Sequence, residues 1–334
     1  MYTYHSTNKE VNKMKIGDIQ AQPGEKVFGK FEVGKTHARF PVHVPIHIIQ
    51  GQSEGPVLLV QAGLSGLEVE PSLTLPGLVA ELDPAKITGT LIVVPLLNTS
   101  GFEFEQVNAI WDDKDLNALG RGNADGTVSE QLIYRYYNEV ISQADAVIDI
   151  RTGAQWGYFR YAGIYRTGAI QASTDLAISL GLPQVLLGQP DDASSSFEAA
   201  QDGKAVCSTW IGGGPGLRDY RDDDMRRTRN AVLNGLRHLG MIEGELESEG
   251  PVKIIDGHTF IKPNGERGFT FMDSEKRGES VAAGEQIGYV LHPYTGETLE
   301  EIRAPRDGVM LHAGASWPLL PEGVTLAILG DPVT

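Results

Sequence analysis

Short, continuously apolar runs alternate with helical segments between about residues 14 and 245. The runs cover residues 57–61, 91–95, 146–150, 184–187 and 205–210. Strands that are apolar on both faces are typical of a mostly parallel sheet covered by helices on each side. Residues 42–49 alternate between apolar and polar side chains, which predicts an antiparallel strand at the edge of that sheet. The pattern therefore predicts an α/β fold with a mixed, mostly parallel sheet.

Two of the intervening helices have recognisable starts. Thr127 and Glu130 match a capping box, which predicts a helix over residues 130–143. Three aspartates at residues 222–224 occupy the first turn of a second predicted helix, which runs to about residue 239. We interpret these acids as stabilising the helix dipole rather than as catalytic groups.

The composition changes near residues 247–251, and closely spaced short strands with glycine-containing turns follow. We predict three regions: a polar leader over residues 1–13, an α/β domain over residues 14–248 and an all-β domain over residues 249–334. The leader lacks the apolar centre of a secretory signal.

The charge of the chain excludes several classes of partner. Its 28 Lys and Arg against 44 Asp and Glu give a net charge of −16, so its surface repels phosphate backbones and anionic lipids. We expect neither nucleic acid nor a membrane as a partner, since no apolar stretch approaches the roughly 20 residues that span a bilayer. A single cysteine, Cys207, suits the reducing cytoplasm, where we place the protein.

Polar residues follow the predicted strands at their carboxyl ends. Residues 63–68 read Gly-Leu-Ser-Gly-Leu-Glu after the first run, and residues 151–153 read Arg-Thr-Gly after the third. Trp210 ends the last run. In open parallel sheets the ligand crevice lies beyond these carboxyl ends, so we expect the segments to converge on one pocket.

This layout resembles the succinylglutamate desuccinylase and aspartoacylase family, relatives of the zinc carboxypeptidases, whose motifs read G-x-H-G-x-E and D-L-H-[ST]-G. The resemblance spans nearly the whole chain. It implies a zinc carboxypeptidase-like fold, a C-terminal β domain and a deacylase acting on N-acyl amino acids. Ser65 and Arg151 stand where the family has its two zinc histidines, and of its three ligands only Glu68 is retained.

These substitutions remove the chemistry on which a catalytic zinc depends. Such a zinc needs three protein ligands, and neither a serine hydroxyl nor a guanidinium supplies what an imidazole does. Since arginine stays protonated, our hypothesis is that Arg151 replaces the metal's positive charge and pairs with Glu68. We therefore predict no metal and no cofactor, with Glu68 and Arg151 as the candidate catalytic residues.

Two other motifs of the family have also changed. Where the family has D-L-N-R, whose Asn and Arg grip a substrate carboxylate, residues 115–118 read Asp-Leu-Asn-Ala. Asn117 remains, and whether Arg121 replaces the lost arginine is left open. The family's general-base glutamate aligns with Trp210, whose indole cannot take a proton from water.

The candidate substrate-binding residues are therefore Ser65, Asn117, Thr152 and Trp210. Trp156, Tyr158 and Tyr161 lie nearby in sequence, either as an aromatic wall or as packing residues.

Three functional hypotheses follow. The first is a zinc-independent relative that binds a small polar metabolite, amino-acid-like or an amide, and performs metal-independent chemistry or none. The second is a non-catalytic ligand-binding or assembly subunit. The third is a zinc deacylase with relocated ligands. We predict a small-molecule ligand, which all three hypotheses admit, and a homo-oligomer is compatible with this architecture.

Overall fold

A computed structural model describes residues 13–154, 157–189, 193–213, 221–262, 264, 266, 268–314, 317–318 and 325–333. Within these residues the helices are α1 (Val69–Glu81), α2 (Thr99–Glu103), α3 (Val128–Glu139), α4 (Ile170–Ser179), α5 (Ser195–Gln201) and α6 (Asp222–His238). The strands are β1 (Met14–Ile16), β2 (Ile19–Ala21), β3 (Lys26–Lys35), β4 (Pro41–Gln50), β5 (Ser53–Ala62), β6 (Thr88–Val94), β7 (Ala146–Arg151), β8 (Phe159–Ile164), β9 (Gln184–Leu187), β10 (Ala205–Gly212), β11 (Lys253–Ile261), β12 (Phe269–Met272), β13 (Ser280–Val281), β14 (Gln286–Leu291), β15 (Thr298–Arg303), β16 (Gly308–Ala313), β17 (Trp317–Pro318) and β18 (Ala327–Pro332).

The predicted fold class is confirmed. A mixed sheet in the order β13-β16-β18-β11-β9-β8-β10-β7-β5-β6-β4-β3 forms the centre of the molecule. Its middle strands β6, β5, β7 and β10 are parallel neighbours, as their apolar character predicts. Two apolar clusters lie on its faces, one with α3 and α5 and the other with α1, α4 and α6.

The edge of this sheet differs from the prediction. The alternating segment forms β4, which pairs antiparallel with β6 on one side and with β3 on the other. Strand β3 therefore covers β4 and is itself the edge strand. Five of the ten residues of β3 are exposed, which weakened its apolar signal in the sequence.

Both predicted helix starts are present. Thr127 is the N-cap of α3 and forms the full capping box with Glu130. The helix ends at Glu139, and a 3₁₀ turn over Ile141–Gln143 completes the predicted segment. Of the three aspartates that open α6, Asp224 is buried and accepts a hydrogen bond from the Tyr158 hydroxyl at 2.6 Å. Asp224 therefore also fixes a tertiary contact.

The C-terminal strands join the central sheet. Strand β11 pairs parallel with β9, and β18, β16 and β13 follow outward by antiparallel pairing. A separate four-stranded sheet, β15-β14-β12-β17, packs beside them. The C-terminal β structure is confirmed, and the predicted boundary after residue 248 falls in the segment between α6 and β11. The hydrogen-bonded sheet crosses that boundary.

Strand β8 sets the direction of half of the sheet. It runs antiparallel to β10 and parallel to β9. As a result, β8, β9 and β11 begin at the same edge where β5, β7 and β10 end. Side chains from both sets of strands therefore meet at this edge.

Two further observations concern individual segments. Cys207 is fully buried, as expected for a packing residue, and burial raises the pKa of its thiol well above the usual range. No helix in the described ranges has the length and apolar character needed to cross a bilayer.

Candidate functional site

The site begins with two loops at the ends of adjacent parallel strands. Ala62 at the end of β5 pairs with Ile150 of β7, so the segments that follow lie side by side. Gly63 opens the first loop with φ of +67°, a conformation that favours glycine. An added Cβ there would also lie 2.8 Å from the Leu96 side chain. The turn carries the chain to Glu68, the residue before α1.

The predicted ion pair between Glu68 and Arg151 is present. Arg151 Nε donates to Glu68 Oε1 at 3.0 Å, and the two side chains are 8% and 3% exposed. Backbone amides complete the carboxylate's surroundings: Thr152 N lies 3.4 Å from Oε1 and Ser65 N lies 3.3 Å from Oε2. Ser65, Thr152 and the pair thus form one buried cluster.

A second carboxylate that the sequence did not single out completes this cluster. Asp149 is fully buried in β7, and its Oδ2 lies 3.7 Å from an Arg151 guanidinium nitrogen. Residues two apart in a strand project from the same face, which was the available signal. We call Ser65, Glu68, Asp149, Arg151 and Thr152 the ion-pair site.

Hydrogen bonds connect Asp149 to helix α3 through the interior. Ser196 Oγ donates to Asp149 Oδ2 at 2.9 Å and accepts from Gln61 Nε2 at 3.0 Å. The Tyr136 hydroxyl donates to Gln61 Oε1 at 2.7 Å. Such a buried network restricts side-chain rotamers. Hydrogen bonds on the interior side therefore fix the orientation of Asp149, and through Asp149 that of Arg151.

The charges of the ion-pair site oppose one another. Burial raises the pKa of the Glu68 carboxyl, the Arg151 guanidinium opposes that rise and Asp149 adds to it. Two carboxylates share one guanidinium, so the positive charge of Arg151 is more than compensated within the site.

Trp210 packs against this guanidinium. Trp210 pairs with Arg151 across the β10–β7 ladder, and the guanidinium carbon of Arg151 lies 5.1 Å from the centroid of the indole. Tyr161 stacks on the indole at 6.2 Å between ring centroids, and the Phe159 ring lies 5.4 Å away. The aromatic wall therefore consists of Trp210, Tyr161 and Phe159. Tyr158 turns to Asp224 instead, and Trp156 lies outside the described residues.

Asn117 occupies a separate 3₁₀ turn, Leu116–Ala118. Its amide nitrogen donates to Asp115 Oδ1 at 3.0 Å, and its carbonyl oxygen is buried without a hydrogen-bond partner in the described part of the chain. The contacts described do not join it to the ion-pair site.

Arg121, three residues after Ala118, is engaged by two carboxylates. It forms ion pairs with Glu198 at 2.8 Å and with Asp202 at 2.6 Å, and it lies over the ring of Tyr137. These bonds raise the pKa of its guanidinium. Arg121 ties its loop to α5.

Glu70 is a carboxylate near the site that the sequence did not indicate. It lies in the first turn of α1, half-buried, and its Oε1 accepts from Gly213 N at 3.3 Å. Burial raises the pKa of the Glu70 carboxyl, and Asp224 and Glu68 add to that rise. Glu70 thus contacts the glycine three residues beyond Trp210.

The residues that the resemblance places at the family's zinc position do not fit a zinc ion. Ser65 offers a hydroxyl, Arg151 is itself a cation, and Glu68 is engaged by the guanidinium. Across the described residues no group of three or more His, Cys, Asp or Glu side chains is arranged to hold a metal. His43 and His47, four apart in sequence, lie on strand β4.

Fold and site together define an α/β protein whose polar site is assembled from loops at the carboxyl ends of its central strands. A family model for the succinylglutamate desuccinylase/aspartoacylase catalytic domain matches residues 54–239, more than half of the chain. The chain belongs to this family.

Individual relatives extend the similarity over nearly the full length. The chain is 25% identical to N-alpha-acetyl-L-2,4-diaminobutyric acid deacetylase of Halomonas elongata, over 95% of this chain and 94% of that protein. The product-bound structure of the ectoine utilization protein EutE (DoeB) from Ruegeria pomeroyi has a TM-score of 0.83 at 24% identity, covering 97% and 100% of the two chains. A succinylglutamate desuccinylase/aspartoacylase from Rhodobacter sphaeroides also reaches 0.83, at 19% identity and 93% and 97% coverage. The two structures show the shared fold.

Proposed function

We propose that this protein is a zinc-independent member of its family that binds a small amino-acid-like or amide metabolite beside the ion-pair site and does not hydrolyse N-acyl amino acids by the family's zinc mechanism. The observation that carries the proposal is the buried Arg151–Glu68 ion pair. It engages the retained zinc ligand with a permanent cation.

The surroundings of the pair favour binding over hydrolysis. Glu68 accepts from three nitrogen donors, so it is poorly placed to take a proton from water. Trp210 stands at the position of the family's general base. Because Glu68 and Asp149 more than compensate the charge of Arg151, the site offers no free positive charge to an anion and suits a neutral amide or a zwitterion. Ser65, Asn117, Thr152 and Trp210 are the proposed ligand contacts.

Metal content and ligand binding test this proposal together. We expect zinc well below one ion per chain in protein purified without chelators from zinc-supplemented cells. A family member that retains both zinc histidines, prepared in parallel, serves as the control. We also expect at least one neutral or zwitterionic amino-acid derivative to raise the melting temperature saturably. Stoichiometric zinc together with chelator-sensitive hydrolysis of N-acetyl-L-2,4-diaminobutyric acid would overturn the proposal in favour of relocated zinc ligands.

A second candidate, metal-independent hydrolysis, is favoured by Glu70. Its carboxyl has the raised pKa that suits a general base and lies beside Gly213. In this case turnover of an amide substrate persists in chelator and falls about 100-fold or more in Glu70→Gln. Glu81→Gln, an exposed carboxylate on the same helix, is the matched control. If no turnover persists in chelator, the remaining function is ligand binding, by this protein alone or as a subunit beside an active homologue.

A further inference from the structure

A cavity of about 220 Å³ opens at the edge where β8, β9 and β11 begin. Its lining includes Tyr158, Arg160, Gln184, Lys253, Arg277 and Glu279. We call it the arginine cavity. None of the residues of the ion-pair site lines it, and it combines residues from the central strands with residues from the C-terminal strands.

Arginine side chains crowd around one aromatic ring at this cavity. The guanidinium carbons of Arg160 and Arg277 lie 5.3 and 5.4 Å from the centroid of Tyr158. Arg221 lies over the same ring at 4.6 Å and is also within 3.8 Å of Asp224. In the described part of the chain, neither Arg160 nor Arg277 forms an ion pair with a carboxylate.

This arrangement concentrates positive charge in a protein whose net charge is −16. Lys253 adds a third cation to the lining and donates to the Gly278 carbonyl at 3.1 Å. Among the described residues, Glu279 is the one carboxylate that lines the cavity. The cost is visible at Arg277, where burial and the repulsion of Arg221 and Arg160 lower the pKa of the guanidinium. A group of cations that outnumbers the carboxylates near it is stabilised by a bound anion.

The polar groups facing the cavity suit recognition of such an anion. Guanidinium groups match the two oxygens of a carboxylate or phosphate face in a bidentate way. Gln184 is 3% exposed and makes no side-chain hydrogen bond within the described ranges, so its amide can donate into the cavity. The Tyr158 hydroxyl is bound to Asp224, so Tyr158 contributes its ring.

We propose that the arginine cavity binds a compact dianion, a phosphate- or dicarboxylate-bearing small molecule, through Arg160, Arg277 and Lys253. Its volume lies below the roughly 300–1,000 Å³ of drug-sized pockets, which favours a small ligand. The site does not depend on the proposed function of the ion-pair site. It places a ligand between the central strands and the C-terminal strands.

Titration calorimetry of the full chain with inorganic phosphate and with succinate, each at constant ionic strength, tests the proposal. We expect saturable binding of at least one of these dianions, weakened about tenfold or more by Arg160→Gln or Arg277→Gln. Arg303→Gln, an exposed arginine paired with Glu301 in the C-terminal region, removes the same charge elsewhere and leaves binding unchanged.

The two variants guard against a loss of fold. Arg277 Nε donates to the Ala313 carbonyl, whereas Arg160 is exposed and its side chain forms no hydrogen bond within the described structure. Arg160→Gln therefore decides the result if Arg277→Gln unfolds. Preference for phosphate or for succinate identifies the anionic group, and either supports the site. The proposal is overturned if neither anion binds saturably, or if Arg160→Gln and the unaltered protein bind the anion with equal affinity. Zinc content, which tests the ion-pair site, does not change with either outcome.

Discussion

At the level of single residues, Arg151 is the one cation within the ion-pair site. Its guanidinium lies between two buried carboxylates, Glu68 at 3.0 Å and Asp149 at 3.7 Å. Breaking a buried pair by removing one partner leaves an uncompensated charge. We therefore predict that Arg151→Met lowers the free energy of unfolding by about 3–5 kcal/mol, measured by urea denaturation near neutral pH.

The same variant should depend on pH in a defined direction. Without Arg151, burial and Asp149 raise the pKa of Glu68 with only backbone hydrogen bonds opposing the rise, so the folded state binds a proton more tightly than the unfolded state. Stability then falls as pH rises above the ordinary glutamate pKa of about 4.3. Adding Glu68→Gln to Arg151→Met should restore part of the loss at neutral pH. A loss that is unchanged between acid and neutral pH and is not relieved by Glu68→Gln would contradict this account.

The sequence predicted the two ends of this pair because both stand in motifs that follow apolar strands. It did not reveal Asp149, although Asp149 precedes Arg151 by two residues on the same strand. Its role depends on Ser196 and Gln61, which approach from α5 and β5. Such partners are set by tertiary packing and leave no local pattern.

At the level of elements, strands were predictable where they are buried on both faces. Strands β5, β6, β7, β9 and β10 match the predicted runs within a few residues. Strand β8 was missed because its aromatic residues and Arg160 give neither a continuous apolar run nor a clean alternation. The pairing of β11 with β9 joins residues about 70 positions apart in the sequence, so no local sequence pattern predicts it.

The contact between β8 and β16 provides a prediction at this scale. His312 of β16 stacks on Phe159 of β8 with ring centroids 4.2 Å apart and an angle of 13°. Burial, together with the charge of Arg277, lowers the pKa of His312 to about 3. An unfolded histidine titrates near pH 6.5, so the unfolded state takes up a proton first and stability falls as pH drops below that value.

We expect His312→Phe to remove this acid sensitivity while keeping a stacked ring. Between about pH 7.5 and pH 5 the unaltered protein should lose about 2 kcal/mol more of its unfolding free energy than the variant does. The comparison is urea denaturation at the two pH values, with His37→Gln in an exposed loop as control. An equal loss in His312→Phe and the unaltered protein would show that His312 is protonated in the folded state.

At the level of the whole molecule, one sheet carries both the ion-pair site and the C-terminal strands. Strand β11 supplies Ile255 to an apolar cluster that also contains Leu186 of β9 and Val309 of β16, and Trp210 packs against it. The packing that fixes the aromatic wall therefore includes residues beyond 248. The homo-oligomer expected from the sequence remains a prediction.

Because this cluster spans the predicted boundary, we expect the described parts of the chain to unfold as one cooperative unit. Ile255 is fully buried, so Ile255→Ala should lower the free energy of unfolding by about 2–5 kcal/mol. Hydrogen exchange in increasing denaturant should show peptides of β7 and of β11 opening in the same step, in both the unaltered protein and the variant. Val333→Ala, at an exposed position, is the control. The contrary outcome is exchange of the C-terminal strands at lower denaturant while β7 and β10 keep their protection. The two parts of the continuous sheet would then have independent stabilities. In that case Ile255→Ala would leave the environment of Trp210 intact.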